Sequence, residues 1–187
     1  MLCEGSSERA YIQELNRYFN RENYPFTLVP KSLGGGAYKL VIKRYKLEKK
    51  ENKRIKFLIW IDKDIYKRND NRNQDQYLNK PKNIPNFYFS YMNFEDFLSL
   101  HNSEWAKKWR EICEERNHFE YPMYEREYLP LWLEHIKPYY KKGELPFPIT
   151  SEVLNCLFEN VSDEKDQEHF AYFLKQLCLS YLESLNS

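Results

Sequence analysis

The stretch Phe57-Leu58-Ile59-Trp60-Ile61, closed by Asp62-Lys63-Asp64, constrains the fold more than any other part of the chain. Five apolar residues in a row show neither the alternation of a half-exposed strand nor the length of a helix. Such a run, rich in branched and aromatic side chains, reads as a strand buried on both faces. Strands of that kind belong to parallel sheets covered by helices on either side. The flanking segments supply those helices. In "SSERAYIQELNRYFN", Tyr11, Ile12, Leu15, Tyr18 and Phe19 recur at helical spacing, with Ser6 or Ser7 as N-cap. "FTLVPKS", Phe26 to Ser32, reads as a strand and "LGGG" as a turn. A second helix is expected from Tyr38 to about Lys50, with Leu40, Val41, Tyr45 and Leu47 inward and the lysines outward. "NFYFSYM", Asn86 to Met92, is the next strand, and Asn93 caps a helix opening "NFEDFLSLH". With Met1–Cys3 as a short first strand, the order is β-α-β-α-β-β-α around a mostly parallel sheet.

Beyond Asn102 the patterns are helical and aromatic, interrupted by Pro122, Pro138, Pro146 and Pro148. The expected organisation is an α/β core over residues 1–101 and a helical extension over 102–187 packed on it. Four widely spaced cysteines, Cys3, Cys113, Cys156 and Cys178, form no CxxC pair and have no nearby His. They read as reduced thiols of a cytoplasmic protein rather than a zinc site or a disulfide frame. No apolar run is long enough to span a bilayer, so no membrane association is expected.

The net charge of +1 conceals an asymmetry: residues 1–92 carry 19 Lys and Arg against 10 Asp and Glu, and residues 93–187 carry 10 against 18. The segment Ala37–Lys56 is the most basic, with nine cationic and two acidic side chains. It suits a polyanion, because neutralised phosphates release counterions and give sequence-independent affinity. A solvated helix face accounts for the same charges equally well. Lys39, Lys43, Arg44 and Lys46 are the candidate phosphate contacts. The acidic back half fits a basic partner or serves solubility alone.

In open α/β sheets, functional groups gather at the carboxyl ends of the strands. Glu4-Gly5 follows the first strand, and Asp62 and Asp64 follow the buried one. Two aspartates two apart on an extended chain lie on one side, with Lys63 pointing the other way. Converging carboxylates repel unless a cation neutralises them, and their hard oxygens select Mg²⁺ or Mn²⁺. Such an ion activates water and stabilises a transferring phosphoryl group.

The motifs "CEGSSERAY", "IWIDKD" and "NFEDFLSLH", in that order, resemble the TOPRIM superfamily, and within it the RloB-like family, related to OLD-type and RNase M5-type nucleases. The resemblance covers the front half, to about residue 101. It implies a TOPRIM-like, Rossmann-like core and a metal-dependent nuclease acting on DNA or RNA. It also implies a role in prokaryotic anti-phage defence beside a partner ATPase. Glu4 would be the acid/base or metal-adjacent carboxylate, Gly5 the residue of the tight turn, and Asp62 and Asp64 the Mg²⁺ ligands. Glu8, one turn beyond Glu4, either faces the same cleft or closes a capping box on a serine. Glu95 is either an outer ligand or an acid favoured by the helix dipole. His101 is expected to be structural or to contact phosphate. A non-catalytic TOPRIM-fold subunit, binding nucleic acid or docking on the ATPase, is the alternative. Topoisomerase and primase activities are not expected, since the partner domains do not fit this length.

The polar segment Lys67–Lys82 is too poor in apolar residues to offset its ordering entropy. Following the proposed ligands directly, it reads as a lid in which Lys67, Arg68 and Arg72 clamp phosphates, or as a passive excursion.

Overall fold

The computed structural model describes residues 1–34, 38–63, 84, 86–91, 93–116 and 143–185. Four strands form one wholly parallel sheet: β1 (Leu2–Cys3), β2 (Lys31–Ser32), β3 (Ile59–Ile61) and β4 (Phe87–Phe89), in the order β2-β1-β3-β4. Leu2 pairs with Lys31 on one side and Ile59 on the other, and Ile59 pairs with Phe87. Six helices are described: α1 (Ser6–Arg21), α2 (Tyr38–Glu51), α3 (Phe94–Ser99), α4 (Ser103–Arg116), α5 (Ser151–Glu159) and α6 (Phe170–Leu185). The chain is therefore an α/β protein with a Rossmann-like parallel sheet. The expected element order holds through α3.

Alternation along β3 divides the interior. Ile59 and Ile61 face Leu2, Phe87, Phe89 and the buried Val41 and Tyr45 of α2. Leu58 and Trp60 face the larger core, which α1, α3, α4, α5 and α6 share. Residues on both sides of position 101 meet in that larger core. Trp60 lies at its centre, fully buried and stacked on Phe170 with centroids 4.0 Å apart and planes at 18°. An aromatic pair of this kind adds about 0.5–1.5 kcal/mol beyond area burial, and it fastens α6 to the sheet. The β4 edge is also covered: Phe89 N–H donates to Glu168 O at 2.9 Å, and Phe89 bridges His169 in parallel register. An exposed ladder edge would otherwise be open to foreign strands.

Three expectations about local structure are corrected. The strands are shorter than the apolar runs: Phe26–Pro30 lies outside β2, and β4 is confined to Phe87–Phe89. In α2 only Val41 and Tyr45 of the expected inward set are buried, while Leu40 and Leu47 are 57% and 44% exposed. The buried stripe runs Val41, Tyr45, Glu48, at i, i+4 and i+7. Glu48 is tolerated there because its carboxylate pairs with Lys31 and, at 2.9 Å, with Arg44. The cap of α1 is Gly5 rather than Ser6 or Ser7. Asn93 does cap α3, and Asp96 Oδ2 accepts its backbone N–H at 2.9 Å.

Gly143 joins the C-terminal region to the start of α1, its N–H donating to Ser7 Oγ at 3.2 Å. Its φ is +87°, and an added Cβ would meet Ser6 Oγ only at 3.5 Å. Gly143→Ala is therefore expected to cost about 1–2 kcal/mol through backbone conformation rather than collision. Urea unfolding measures this. An unchanged midpoint would mean that the turn re-forms at negative φ.

Candidate metal centre

The strand order 2-1-3 places the topological switch point between β1 and β3, where connections leave the sheet in opposite directions and a crevice opens at the carboxyl ends. Glu4 follows β1 and Asp62 follows β3, so the two carboxylates flank that crevice. Glu8 joins them from the first turn of α1. Ligand oxygens of Glu4, Glu8 and Asp62 all lie within 4.8 Å of one another. Of the expected set Glu4, Asp62 and Asp64, the fold brings the first two together with Glu8, for which the sequence left a cleft role and a capping role open, and Asp64 lies outside the described residues.

Backbone donors hold two of the three carboxylates. Glu4 Oε2 accepts the Asp62 N–H at 3.1 Å, which ties the end of β1 to the end of β3. Glu8 Oε2 accepts the Gly5 N–H at 3.0 Å. This is half of a capping box, since Gly5 has no side chain with which to reciprocate. Both readings of Glu8 thus hold together: it caps α1 and faces the cleft, with Gly5 in place of the expected serine. An ideal Cβ on Gly5 would come within 3.1 Å of Glu8 Oε2, so glycine leaves the space into which that carboxylate folds. Glu8 is buried, at 3% exposure. Burial, followed by the negative charge of Glu8, pushes the Cys3 thiol up to about 12, so Cys3 is no nucleophile at neutral pH. Cys3, Cys156 and Cys178 are free thiols.

Three hard-oxygen carboxylates at this separation match the donor set of Mg²⁺ or Mn²⁺. When bound, such an ion would lower the pKa of a water and neutralise charge on a phosphoryl group. The protein's own contribution is to hold Glu4 and Glu8 on backbone donors, so that the carboxylates cannot swing apart.

The remaining candidates are placed differently. Glu95 lies half-buried in the first turn of α3, outside the acid group. Its neighbour Asp96, to which the sequence reading gave no role, is fully buried and accepts the Trp109 indole N–H at 2.9 Å. His101 is buried and structural: Nδ1 lies 3.1 Å from Phe97 O and Nε2 2.8 Å from the Tyr11 hydroxyl. Lys43, Arg44 and Lys46 are exposed on α2. Lys43 and Arg44 line a groove with Ser32 and Leu33, and the Ser32 hydroxyl donates to Glu4 O at 3.5 Å. Part of the basic helix therefore reaches the carboxyl edge of the sheet, although Arg44 also pairs with Glu48. Asp64, Lys67, Arg68, Arg72 and the expected lid at 67–82 lie outside the described residues, as does the side chain of Lys39.

These features define an α/β protein with an acidic group at the switch point of a parallel sheet. No protein-family model, curated protein or solved structure matches the chain. Among the described residues, no helix is long and apolar enough to cross a membrane.

Proposed function

We propose that the chain is a divalent-metal-dependent nuclease of the TOPRIM class, hydrolysing phosphodiester bonds in DNA or RNA. The observation that carries this reading is the meeting of Glu4, Glu8 and Asp62 at the β1/β3 switch point. Those three belong to two of the motifs that resemble the RloB-like family. Glu4 serves as the acid/base carboxylate, with Asp62 and Asp64 holding Mg²⁺ or Mn²⁺ and Glu8 lying beside them. The setting is cytoplasmic anti-phage defence, with an ATPase as protein partner and the acidic back half available for docking. A non-catalytic subunit of the same fold is the competing reading. It is favoured by the structural duties of Glu4 and Glu8, each of which accepts a backbone N–H.

Incubation of the purified protein with plasmid, single-stranded DNA and tRNA, each with Mg²⁺, Mn²⁺ or EDTA, separates the two. Cleavage that EDTA abolishes supports the nuclease. Binding without cleavage in every metal supports the subunit. Polyanion contact along α2 has its own test. With Lys43 and Lys46 on phosphates, the Lys43→Ala/Lys46→Ala double variant flattens the plot of log affinity against log salt by about two units. An unchanged slope would reduce these lysines to solvated surface.

A further inference from the structure

Beside the acid group a second concavity opens at the carboxyl ends of β3 and β4, with a volume of about 630 Å³. That lies within the range of small-molecule pockets, roughly 300–1,000 Å³. Lys63, the residue after Asp62, lines it, and the Lys63 N–H donates to Tyr91 O at 3.0 Å. The alternation that sends Asp62 toward the acid group thus sends Lys63 into the neighbouring space.

Cations from three separate elements converge here: Lys63 after β3, Arg110 of α4, and Lys165 of the turn before α6. Arg110 Nη2 is held at the rim by Asn160 O at 2.9 Å. Among the described residues, neither Lys63 nor Lys165 has a carboxylate within ion-pair distance, and Lys63 Nζ sits 5.6 Å from the Phe89 ring centre. Glu114 and Asp166 oppose the cations. Burial raises the pKa of Asp166, while the Ser162 N–H, the Tyr91 hydroxyl, Arg110 and Lys165 act in the other direction. Asp166 Oδ2 accepts the Ser162 N–H at 2.7 Å.

The wall is aromatic. Tyr91 stacks on His169 at 3.8 Å with planes at 11°, and meets Trp109 edge-on at 5.3 Å. Tyr91 has φ +59°, a backbone state that bulky residues rarely adopt and that gathers at binding sites. Its hydroxyl is buried and interacts with the Asp166 carboxylate, which anchors the ring in the wall. A bare anion would leave the aromatic wall without a role, and an apolar ligand would strand the cations.

We propose that this cavity seats one nucleotide of a single strand, its phosphate among Lys63, Arg110 and Lys165 and its unstacked base against the Trp109–His169 wall. The proposal rests on the nuclease reading for its polymeric source, since the cavity adjoins the acid group through the Asp62–Lys63 peptide. Its test does not depend on cleavage. In EDTA, the protein is titrated with adenosine 5′-monophosphate, adenosine and inorganic phosphate, following the indole N–H resonance of Trp109. The monophosphate is expected to shift that resonance saturably, with adenosine and phosphate each at least about tenfold weaker. Lys165→Ala, at an exposed turn position, should weaken the monophosphate about tenfold, as expected for one charge-assisted contact. Lys63→Ala is the second variant. No saturable shift with the monophosphate would overturn the proposal. So would phosphate binding as tightly as the nucleotide, or both variants binding as wild type. Because the titration is run in EDTA, its readout does not depend on metal binding at the acid group. A failure of the metal reading and a failure of this one are thereby distinguishable.

Discussion

Under the proposed function, Asp62→Asn is expected to abolish saturable Mn²⁺ binding and to lower metal-dependent cleavage about a thousandfold, the equivalent of roughly 4 kcal/mol of transition-state stabilisation, while the fold is retained. The expectation follows from the geometry. Three carboxylates with oxygens within 4.8 Å of one another repel, and only a cation turns that repulsion into an attractive site. Asparagine keeps the size and one oxygen but removes the charge, and the Asp62 backbone N–H that holds Glu4 is untouched. The metal-free variant should therefore unfold at the same temperature as wild type or slightly above it, because like-charge repulsion is relieved. Glu8→Gln separates two roles in one residue. Its amide oxygen still accepts the Gly5 N–H, so α1 keeps its cap, while the cleft loses a charge. Glu8→Ala loses both, and should cost about 1 kcal/mol of stability as well, the usual value of a helix cap. Calorimetric Mn²⁺ titration beside thermal unfolding decides the matter. Equal Mn²⁺ affinity in wild type and Asp62→Asn would end the assignment of a metal centre here.

How much of this could be read from sequence depends on how local the signal was. The β3 run announced a doubly covered strand because burial on both faces leaves no polar alternation. Its parallel neighbours followed from the helices between the strands. Glu4 and Asp62 were legible because strand ends are where such sheets place chemistry, and Glu8 because one helical turn is a fixed distance. The α2 face was misread for a physical reason. Glu48 is buried only because Lys31 of β2 and Arg44 neutralise it, and a cross-element ion pair leaves no periodic trace. Leu40 and Leu47 then fall on the exposed side. The α1 cap was assigned to serine by propensity, whereas Glu8 folding back on the Gly5 N–H makes the glycine the cap. The cavity beyond Lys63 was invisible in the sequence. Tyr91, Trp109 and the Lys165–His169 turn come from three separate segments, and nothing in the sequence joins those segments.

Between pH 7 and 5 the stability of the protein should fall with a component of up to about 1.4 kcal/mol per pH unit that belongs to His101 alone. The ring is enclosed by Tyr11, Phe97 and Phe147. Backbone carbonyls of Phe97 and Leu98 can only accept, so Nδ1 carries the proton; Nε2 then accepts from the Tyr11 hydroxyl at 2.8 Å. Burial drives the folded-state pKa down from 6.5 to about 3, with the carbonyls opposing it. A folded pKa below the unfolded one means that the unfolded chain binds the extra proton first. The contribution of His101 is thus complete above about pH 6.5 and is lost progressively as pH falls toward 3. Asp166, with its raised pKa, has the opposite sign, since burial disfavours its charged form. The raw slope therefore mixes groups, and the comparison between variants isolates one. His101→Gln should flatten the pH dependence of urea-unfolding free energy by nearly one proton. Tyr11→Phe should lower the curve by about 1–3 kcal/mol at every pH, by orphaning Nε2, yet leave the slope in place. A His101→Gln curve running parallel to wild type from pH 7 to 5 would show that this histidine is already solvated or charged in the folded protein.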